Sequence, residues 1–563
     1  MKKTVTAYYL LIIILIPVTT WLRAQNMPAG APLERLQVCT DRTMYISGEK
    51  ILFSAFISND NNMHANDYSN VLYCELIAPD GNRINGGKYL VVNSAGQGCL
   101  QIPEETITGI YYLKSYTRFM RNEGPDSYHY IRLKIINPYK SQVLSGYEAD
   151  ETSGLPETGL KDQLADMPLS ISTGKNRYST LENISLTITG NTGNAIQMKL
   201  CLAVIPEMAY EEIVLTGKTA ITFPYNLQFY PETRGISLTG RLLEDETGLP
   251  IPNALVNLSI IGDKDIMAIR TDSSGQYFFA LPAYTGNRDI FICSENIHAK
   301  SSEIFIENDF CPQPVNLSSP AFHISEKEKE TAYKLALNQK ITSIFLKDTI
   351  SGGPEPVQND KPFYGEPTQV LVMEKYIDLP TLEEYFNELP VEVRVRQSQG
   401  SKHFRFYTTR TEMTIYDPLV LIDWVAVGDI DRVLAMSPAG IDRIELVNSP
   451  YIKGNITYGG IISFVSKKSD FAGIDLPKSG TFINYKFLEE CSGNLPAGPL
   501  KANLPDSRNT VYWNPDLQTD QKGSVDLSFT APDTPGIYII LLRGMNSSGE
   551  EVSIRQEFEV VEE

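Results

Sequence analysis

Histidine is scarce in this chain, with five among 563 residues, at positions 64, 129, 298, 323 and 403, and no two closer than 25 residues. A catalytic zinc site needs several ligands at close, regular spacing, and HExxH does not occur. Each histidine therefore reads as a lone surface residue. Cysteine is nearly as rare: seven residues, Cys39, Cys74, Cys99, Cys201, Cys293, Cys311 and Cys491, with no CxxC among them. That removes a zinc ribbon and a thioredoxin-like redox motif. GxSxG is absent too. Ser172 and Lys175 have S-x-x-K spacing, but only a helix would set that serine beside that lysine, and the pair opens a strand-rich stretch. Thr216 to Thr219 reads TGKT, yet Glu212 stands where a phosphate loop needs glycine. Basic runs with interleaved aromatics are missing, and 68 acidic against 49 basic residues give a net charge of −19. Such a field repels polyphosphate, so nucleic acid is not an expected partner. The acidity reads as solubility. These gaps leave no catalytic, cofactor-binding or metal-ligating residue to nominate, and the sequence is read as a non-enzyme without cofactor.

What is present begins at the N-terminus. In MKKTVTAYYLLIIILIPVTTWLRAQ, Lys2 and Lys3 precede an apolar run from about Tyr8 to Leu22, and Ala24 precedes Gln25. The run is shorter than the roughly 20 residues of a membrane span and is broken by Pro17, so residues 1–24 are expected to be a cleaved secretory signal. The first cysteine is Cys39, too far on for lipoprotein processing. No other long apolar run follows, so no transmembrane span is expected after cleavage. The expected location is periplasmic or outer-membrane associated. Export permits disulfides: Cys293 with Cys311, or two among Cys39, Cys74 and Cys99, with buried free thiols as the alternative.

The mature chain alternates apolar and polar positions between turn formers, the pattern of half-buried strands. At 563 residues it exceeds one core and divides into several units. LQVCTDRTMYISGEKILFSAFISND places Tyr45 four residues before Glu49, and ISTGKNRYSTLENISLTITG repeats this with Tyr178 and Glu182. These phrases resemble the macroglobulin-like β-sandwiches of bacterial α2-macroglobulins, implying one such domain over 25–139 and a second over 166–232. Between them 140–165 is acidic, turn-rich and unpatterned, and is read as a linker. ISLTGRLLEDETGLPIPNALVNLSIIGDKDIMAIRTDSSGQYFFALP, from Ile236 to Pro282, resembles the carboxypeptidase regulatory-like domain, a non-catalytic transthyretin-type sandwich, here 233–320. Residues 321–360 are expected to hold a connector helix, with Tyr333, Leu335, Leu337, Ile341, Ile344 and Phe345 on its packed face, and then a loop. Trp513-Asn514-Pro515, Thr519-Asp520 and Gly536-Ile537-Tyr538 resemble another macroglobulin-type sandwich, assigned to 471–563.

Residues 361–470 resemble the plug domain of TonB-dependent receptors. Pro418 to Asp423 matches its PL-x-x-x-D strand, Ile441-Asp442-Arg443-Ile444-Glu445 its central strand, and Tyr458-Gly459-Gly460-Ile461-Ile462 its last turn and strand. Trp424 departs from the family, which carries glycine there, so the turn is expected to differ. Only 95 residues follow Lys468, whereas a 22-stranded barrel at roughly 9–11 residues per strand needs well over 200. Those residues also lack aromatic girdles, so no pore is expected.

The fold expected is mainly β: tandem macroglobulin/Ig-like and transthyretin-like sandwiches plus an α+β plug-like domain. The expected job is to bind or scaffold an outer-membrane assembly, with an outer-membrane or periplasmic protein, such as a separate β-barrel, as partner. Trp424, Tyr451 and Tyr458, with the loop 448–458, are nominated as partner surface; the alternative is that Trp424 packs inward. Asp348-Thr349-Ile350 resembles an O-glycosylation acceptor of exported Bacteroidetes proteins, nominating Thr349. A macroglobulin relative that binds proteases is one alternative, without the Cys-Gly-Glu-Gln thioester, which does not occur. A hydrolase on a β scaffold is the other, although no carboxylate pair stands out.

Overall fold

The computed structural model describes residues 34–59, 68–146, 157–159, 169–190, 198–211, 213–216, 227–295, 301–318, 320–345, 361–377, 379–389, 392–398, 400–407, 415–491, 498–499, 505–520, 523–546 and 551–562. The expected signal peptide, most of the expected linker and Thr349 lie outside these. The fold is mainly β, as the alternating pattern predicts.

In the first sandwich, strand Arg83–Val92 bends so that one end pairs with Val71–Ile77 and the other with Ala95–Gln101. It thereby joins a sheet of Glu34–Thr40, Lys50–Asn59 and Ala95–Gln101 to one of Val71–Ile77, Gly109–Thr117 and His129–Ile136. Far segments extend the second sheet: Ile213–Thr216 adds to His129–Ile136, and Glu157–Gly159 adds to Ile213–Thr216. Val71–Ile77 and Gly109–Thr117 are buried at every residue, where a sheet with one wet face would alternate. The reason is that another sandwich covers their outer face. Ile236, Leu238, Tyr277 and Phe279 of that unit lie in one continuous core with Tyr73, Tyr112 and Tyr116.

That covering unit is the transthyretin-like one. Ile236–Glu244 lies between Gln276–Leu281 and Ser302–Ile306, facing a sheet of Leu255–Ile260, Asp265–Arg270 and Asn287–Glu295. A fourth strand of the second sheet, Thr481–Lys486, pairs with Asn287–Glu295. The expected C-terminal domain therefore loses its first strand to this sandwich.

A larger correction concerns 166–232 and 471–563, expected as two sandwiches. They form one. Asn183–Gly190 pairs with Leu169–Thr173 on one side and Val525–Thr530 on the other. Met198–Pro206 lies between Tyr512–Gln518 and Gly536–Asn546, with Leu202 opposite Leu542 and Val204 opposite Ile540. These side chains meet in one core with Ile184, Leu186, Phe529 and Phe558. The physical reason is that Met198–Pro206 is too apolar for an edge and needs a strand on each side, which Tyr512–Gln518 and Gly536–Asn546 supply.

Residues 361–474 form an α+β unit. Its sheet runs Gln369–Val372, Ile441–Val447, Ile461–Ser466, Leu419–Ile422, Val425–Ala426. Helices α2 (Leu382–Glu388) and α3 (Ile430–Leu434) and the hairpin Val393–Ser398/Ser401–Phe406 cover one face. Both helices are N-capped by side chains, Thr381 accepting from the Glu384 N–H and Asp429 from that of Arg432. The preceding helix α1 (Glu326–Phe345) packs Ala332 and Leu335 on Met44, Ile46 and Ala209. Of its six expected core residues only Leu335 is buried, while Tyr333, Leu337, Ile344 and Phe345 are exposed. Residues 333, 337 and 344 form a stripe of their own, turned away from the 332/335 face by helical geometry.

One disulfide, Cys99–Cys491, ties the chain after Thr481–Lys486 to the first sandwich. Cys39, Cys74, Cys201, Cys293 and Cys311 are buried thiols outside this disulfide, so the pairings expected from sequence are replaced. Sequence neighbourhood misled because the partners lie 392 residues apart.

Candidate functional site

The repeated Tyr–Glu phrase builds the same turn twice. In the first sandwich the Ile46 N–H donates to Glu49 at 2.7 Å, and the Arg42 guanidinium lies 4.6 Å from the Tyr45 ring centre and bonds Glu49 at 3.1 Å. In the second, the Ser179 N–H donates to Glu182 at 2.9 Å, and Lys175 Nζ lies 5.3 Å from the Tyr178 ring and 2.5 Å from Glu182. Each turn then feeds a short parallel pairing, Met44–Ile46 with Lys134–Ile136 and Arg177–Ser179 with Glu559–Val561. Lys175 is thus engaged by Glu182, on a β turn and not on a helix beside Ser172.

The two copies differ in what covers them. Asn509 bonds Glu49 at 2.6 Å, and Thr510 bonds Asp41, so the C-terminal part of the chain seals the first copy. Burial works against the Arg42 charge, but Glu49 and Asp41 outweigh it and hold the guanidinium charged. A further joint lies beside it. Arg543, 2% exposed, donates to the Tyr210 hydroxyl at 2.8 Å and to the Thr40 carbonyl, within a core of Cys39, Phe56, Cys201, Trp513 and Ile539.

The nominated partner surface is also an internal joint. Trp424 is 8% exposed, its ring 6.0 Å from Tyr364, with Lys264 Nζ of the transthyretin-like unit 5.7 Å away. Despite its bulk it holds φ +70°, next to Asp423 at +44°. The turn was expected to differ from one with glycine here, yet Trp424 takes the left-handed φ that favours glycine, beside a pinned Asp423. Its carboxylate accepts from the Ser466 N–H (2.8 Å), the Ser466 hydroxyl (2.6 Å) and the Phe471 N–H (2.9 Å). Tyr458 is buried with Ile266 and Ala268 of the neighbouring unit, and the Tyr451 ring lies tilted against Phe363 with centres 5.3 Å apart. Lys453 bonds Asp265 at 3.1 Å. At the hairpin tip a Cβ on Gly454 would stand 2.7 Å from the Ala268 carbonyl, so only glycine fits this approach. Ile452 alone of this loop's large apolar residues is exposed. Aromatic residues beside turn formers read as a contact surface, and they are one, but the contact is within the chain.

An open cleft of about 350 Å³ lies where the first sandwich meets the chain entering and leaving the transthyretin-like unit, lined by Arg121, Asn122, Gln228, Phe229, Cys311 and Gln313. Asn122 pins the wall, accepting from the Gln228 and Phe229 N–H groups and donating to the Phe229 carbonyl. The Arg121 guanidinium lies 4.2 Å from the Phe229 ring, while its Nε is buried without a partner. The Tyr128 hydroxyl donates to the Cys311 sulfur at 3.3 Å. Nearby, burial pushes Glu123 up to about 7, with the Glu34 charge adding to it. Burial likewise pushes Glu232 up to about 7 against hydrogen bonds from Ser237 and Tyr73. Sequence reading missed all of these, since they carry no motif and converge from segments over 100 residues apart. Among the described residues no three His, Cys, Asp or Glu side chains gather to hold a metal ion. Nor is any helix there long and apolar enough to cross a membrane.

No protein-family model matches the chain, and no curated protein does. Solved structures that resemble it include an α2-macroglobulin of Salmonella, at 8% identity and a TM-score of 0.23, covering 94% of this chain and 39% of that one. Trypsin-activated α2-macroglobulin of Escherichia coli aligns at 9% identity and TM-score 0.23, over 95% and 42% of the two chains. Dimeric latent PorU of Porphyromonas gingivalis aligns at 9% identity and TM-score 0.15, over 51% and 34%. The chain spans less than half the length of these neighbours. Such scores carry no argument about activity; the strands themselves make this a mainly β chain of packed sandwiches.

Proposed function

We propose that this chain is an exported, non-enzymatic binding protein on macroglobulin-like sandwiches, which holds another protein by surface contact and not through a thioester. The observation that carries this reading is the turn built twice from Arg42, Tyr45 and Glu49 and from Lys175, Tyr178 and Glu182. In our reading 233–320, completed by Thr481–Lys486, is a carboxypeptidase regulatory-like domain, and 361–470 is a plug-like domain.

The partner is then an outer-membrane or periplasmic protein that the chain scaffolds. Support comes from the plug-like unit being fixed on its neighbour through Trp424, Tyr458 and Lys453, as a presented module must be. The second reading makes the partner a protease, and the duplicated macroglobulin-like turn favours it. Pull-down of the tagged native protein from its own envelope in mild detergent, with mass spectrometry, tests the first. Incubation with trypsin and elastase followed by gel filtration tests the second. A stoichiometric barrel protein supports scaffolding, and an intact complex with protease supports the rival. Recovery of the chain alone in both defeats the proposal.

A further inference from the structure

Lys88 and Asp309 are 221 residues apart in sequence, yet Lys88 Nζ lies 2.5 Å from Asp309 Oδ2. Their side chains are 3% and 12% exposed. Lys88 comes from strand Arg83–Val92 of the first sandwich, and Asp309 from the chain just past Ser302–Ile306 of the transthyretin-like one. The surroundings are aromatic. Nζ lies 4.0 Å from the Tyr485 ring centre, and Phe310 stands edge-on to Tyr73. The Tyr485 hydroxyl donates to the same Asp309 oxygen at 2.7 Å.

An ion pair stripped of water is a poor stabiliser, since desolvation offsets much of the attraction. The same stripping makes the neutral pair, amine and acid, accessible. Burial pulls the Lys88 amine down from its usual range, with Asp309 opposing. An amine held against a carboxyl group by a hydrogen bond, and unable to diffuse away, gains a large effective concentration.

We propose that Lys88 and Asp309 condense into an intramolecular isopeptide bond joining the first sandwich to the third. One proton passes from the Lys88 ammonium to the Asp309 carboxylate along their hydrogen bond, leaving amine and carboxylic acid. The Nζ lone pair attacks Cγ, forming the C–N bond, while the Tyr485 hydroxyl donates to Oδ2, the protonated oxygen that is to leave. The C–OH bond then breaks, and the hydroxyl leaves as water with a proton from the nitrogen. The products are one secondary amide and one water, and no oxidant, reductant or other reactant is needed.

A second buried pair in the same sandwich serves as internal control. Lys114 Nζ lies 2.9 Å from Glu75, both side chains 4% exposed. There a second cation, Arg83, stands 3.9 Å from the carboxylate, so Lys114 does not have that carboxylate to itself.

The test is the mass of the reduced, full-length folded protein, followed by peptide mapping. We expect a chain lighter by one water, and a branched peptide carrying both Lys88 and Asp309, with Lys114 and Glu75 in separate, unmodified peptides. Lys88→Met and Asp309→Ala restore the full mass. Tyr485→Phe keeps both reactants and lowers the linked fraction severalfold at a fixed time after folding. Full mass in the folded wild-type chain, with Lys88 and Asp309 in separate peptides, overturns the proposal regardless of how the variants fold. Loss of one water without a branched peptide, as in a cyclised aspartate, overturns it too.

Discussion

The duplicated turn allows one substitution to be made in two environments. In the first copy the Glu49 carboxylate is 9% exposed and its partner Arg42 4%; in the second, Glu182 is 29% exposed and Lys175 58%. Glu49→Ala removes the acceptor for two Arg42 N–H bonds, the Ile46 N–H and the Asn509 amide. Arg42 would keep Asp41, yet its buried charge would lose its larger opposing charge. Removing one partner of a buried pair costs roughly 3–5 kcal/mol. Glu182→Ala breaks the equivalent contacts where water replaces them, so its loss should fall near the error of measurement. Hydrogen exchange read by mass spectrometry during urea titration resolves the units, following 34–137 for the first substitution and 169–206 for the second. Equal losses in the two copies, or a larger one for Glu182→Ala, would refute the argument that burial sets the value of this turn.

Further outcomes follow from the other joints. Glu232, pushed up to about 7 from 4.5, keeps its proton in the folded chain where an unfolded chain has lost it. Its contribution is therefore full below about 4.5 and lost as pH rises through about 7, roughly 3 kcal/mol in all at 1.36 kcal/mol per pH unit. Glu232→Gln retains the acceptor for Tyr73 and Ser237, so denaturation at pH 4 and pH 8 should show it level with wild type at the first and more stable at the second. Glu123 titrates in the same sense, less strongly because it is partly exposed. Gly454→Val drives a side chain into the Ala268 carbonyl, and limited proteolysis should then cut between the α+β unit and its neighbour much faster than in wild type. Trp424→Gly relieves a strained φ, worth about 1 kcal/mol, but removes a buried indole, worth about 3–5 kcal/mol. Net destabilisation of about 2–4 kcal/mol by chemical denaturation is expected, and a stabilised variant would invert that ranking.

Strand periodicity made the fold class legible, and short phrases located the units. Asn183–Gly190 alternates exposed and buried residues as its sequence does, because only one face meets a core. Gly109–Thr117 does not, because a second sandwich lies on its other face, and no local pattern announces a neighbour joined through Lys88, Glu232 and Asp309. Sequence order likewise hid that Thr481–Lys486 returns to Asn287–Glu295 and that Tyr512–Gln518 returns to Met198–Pro206. Trp424, Tyr451 and Tyr458 were nominated as surface for another protein, whereas Trp424 and Tyr458 are buried within the chain. Periodicity cannot say whether the partner of such residues is another protein or another part of the chain.

The account's central claim is that the strands from Leu169 to Pro206 and those from Tyr512 to Val561 form a single sandwich. It is tested most directly by inserting a specific protease site ahead of Pro505, cutting the folded and reduced protein, and running gel filtration without denaturant. The account predicts that the C-terminal piece stays bound to the rest, held by Met198–Pro206 and Asn183–Gly190, and that urea releases it unfolded. A C-terminal piece that separates without denaturant and remains folded, with 169–206 still protected from exchange, would contradict it.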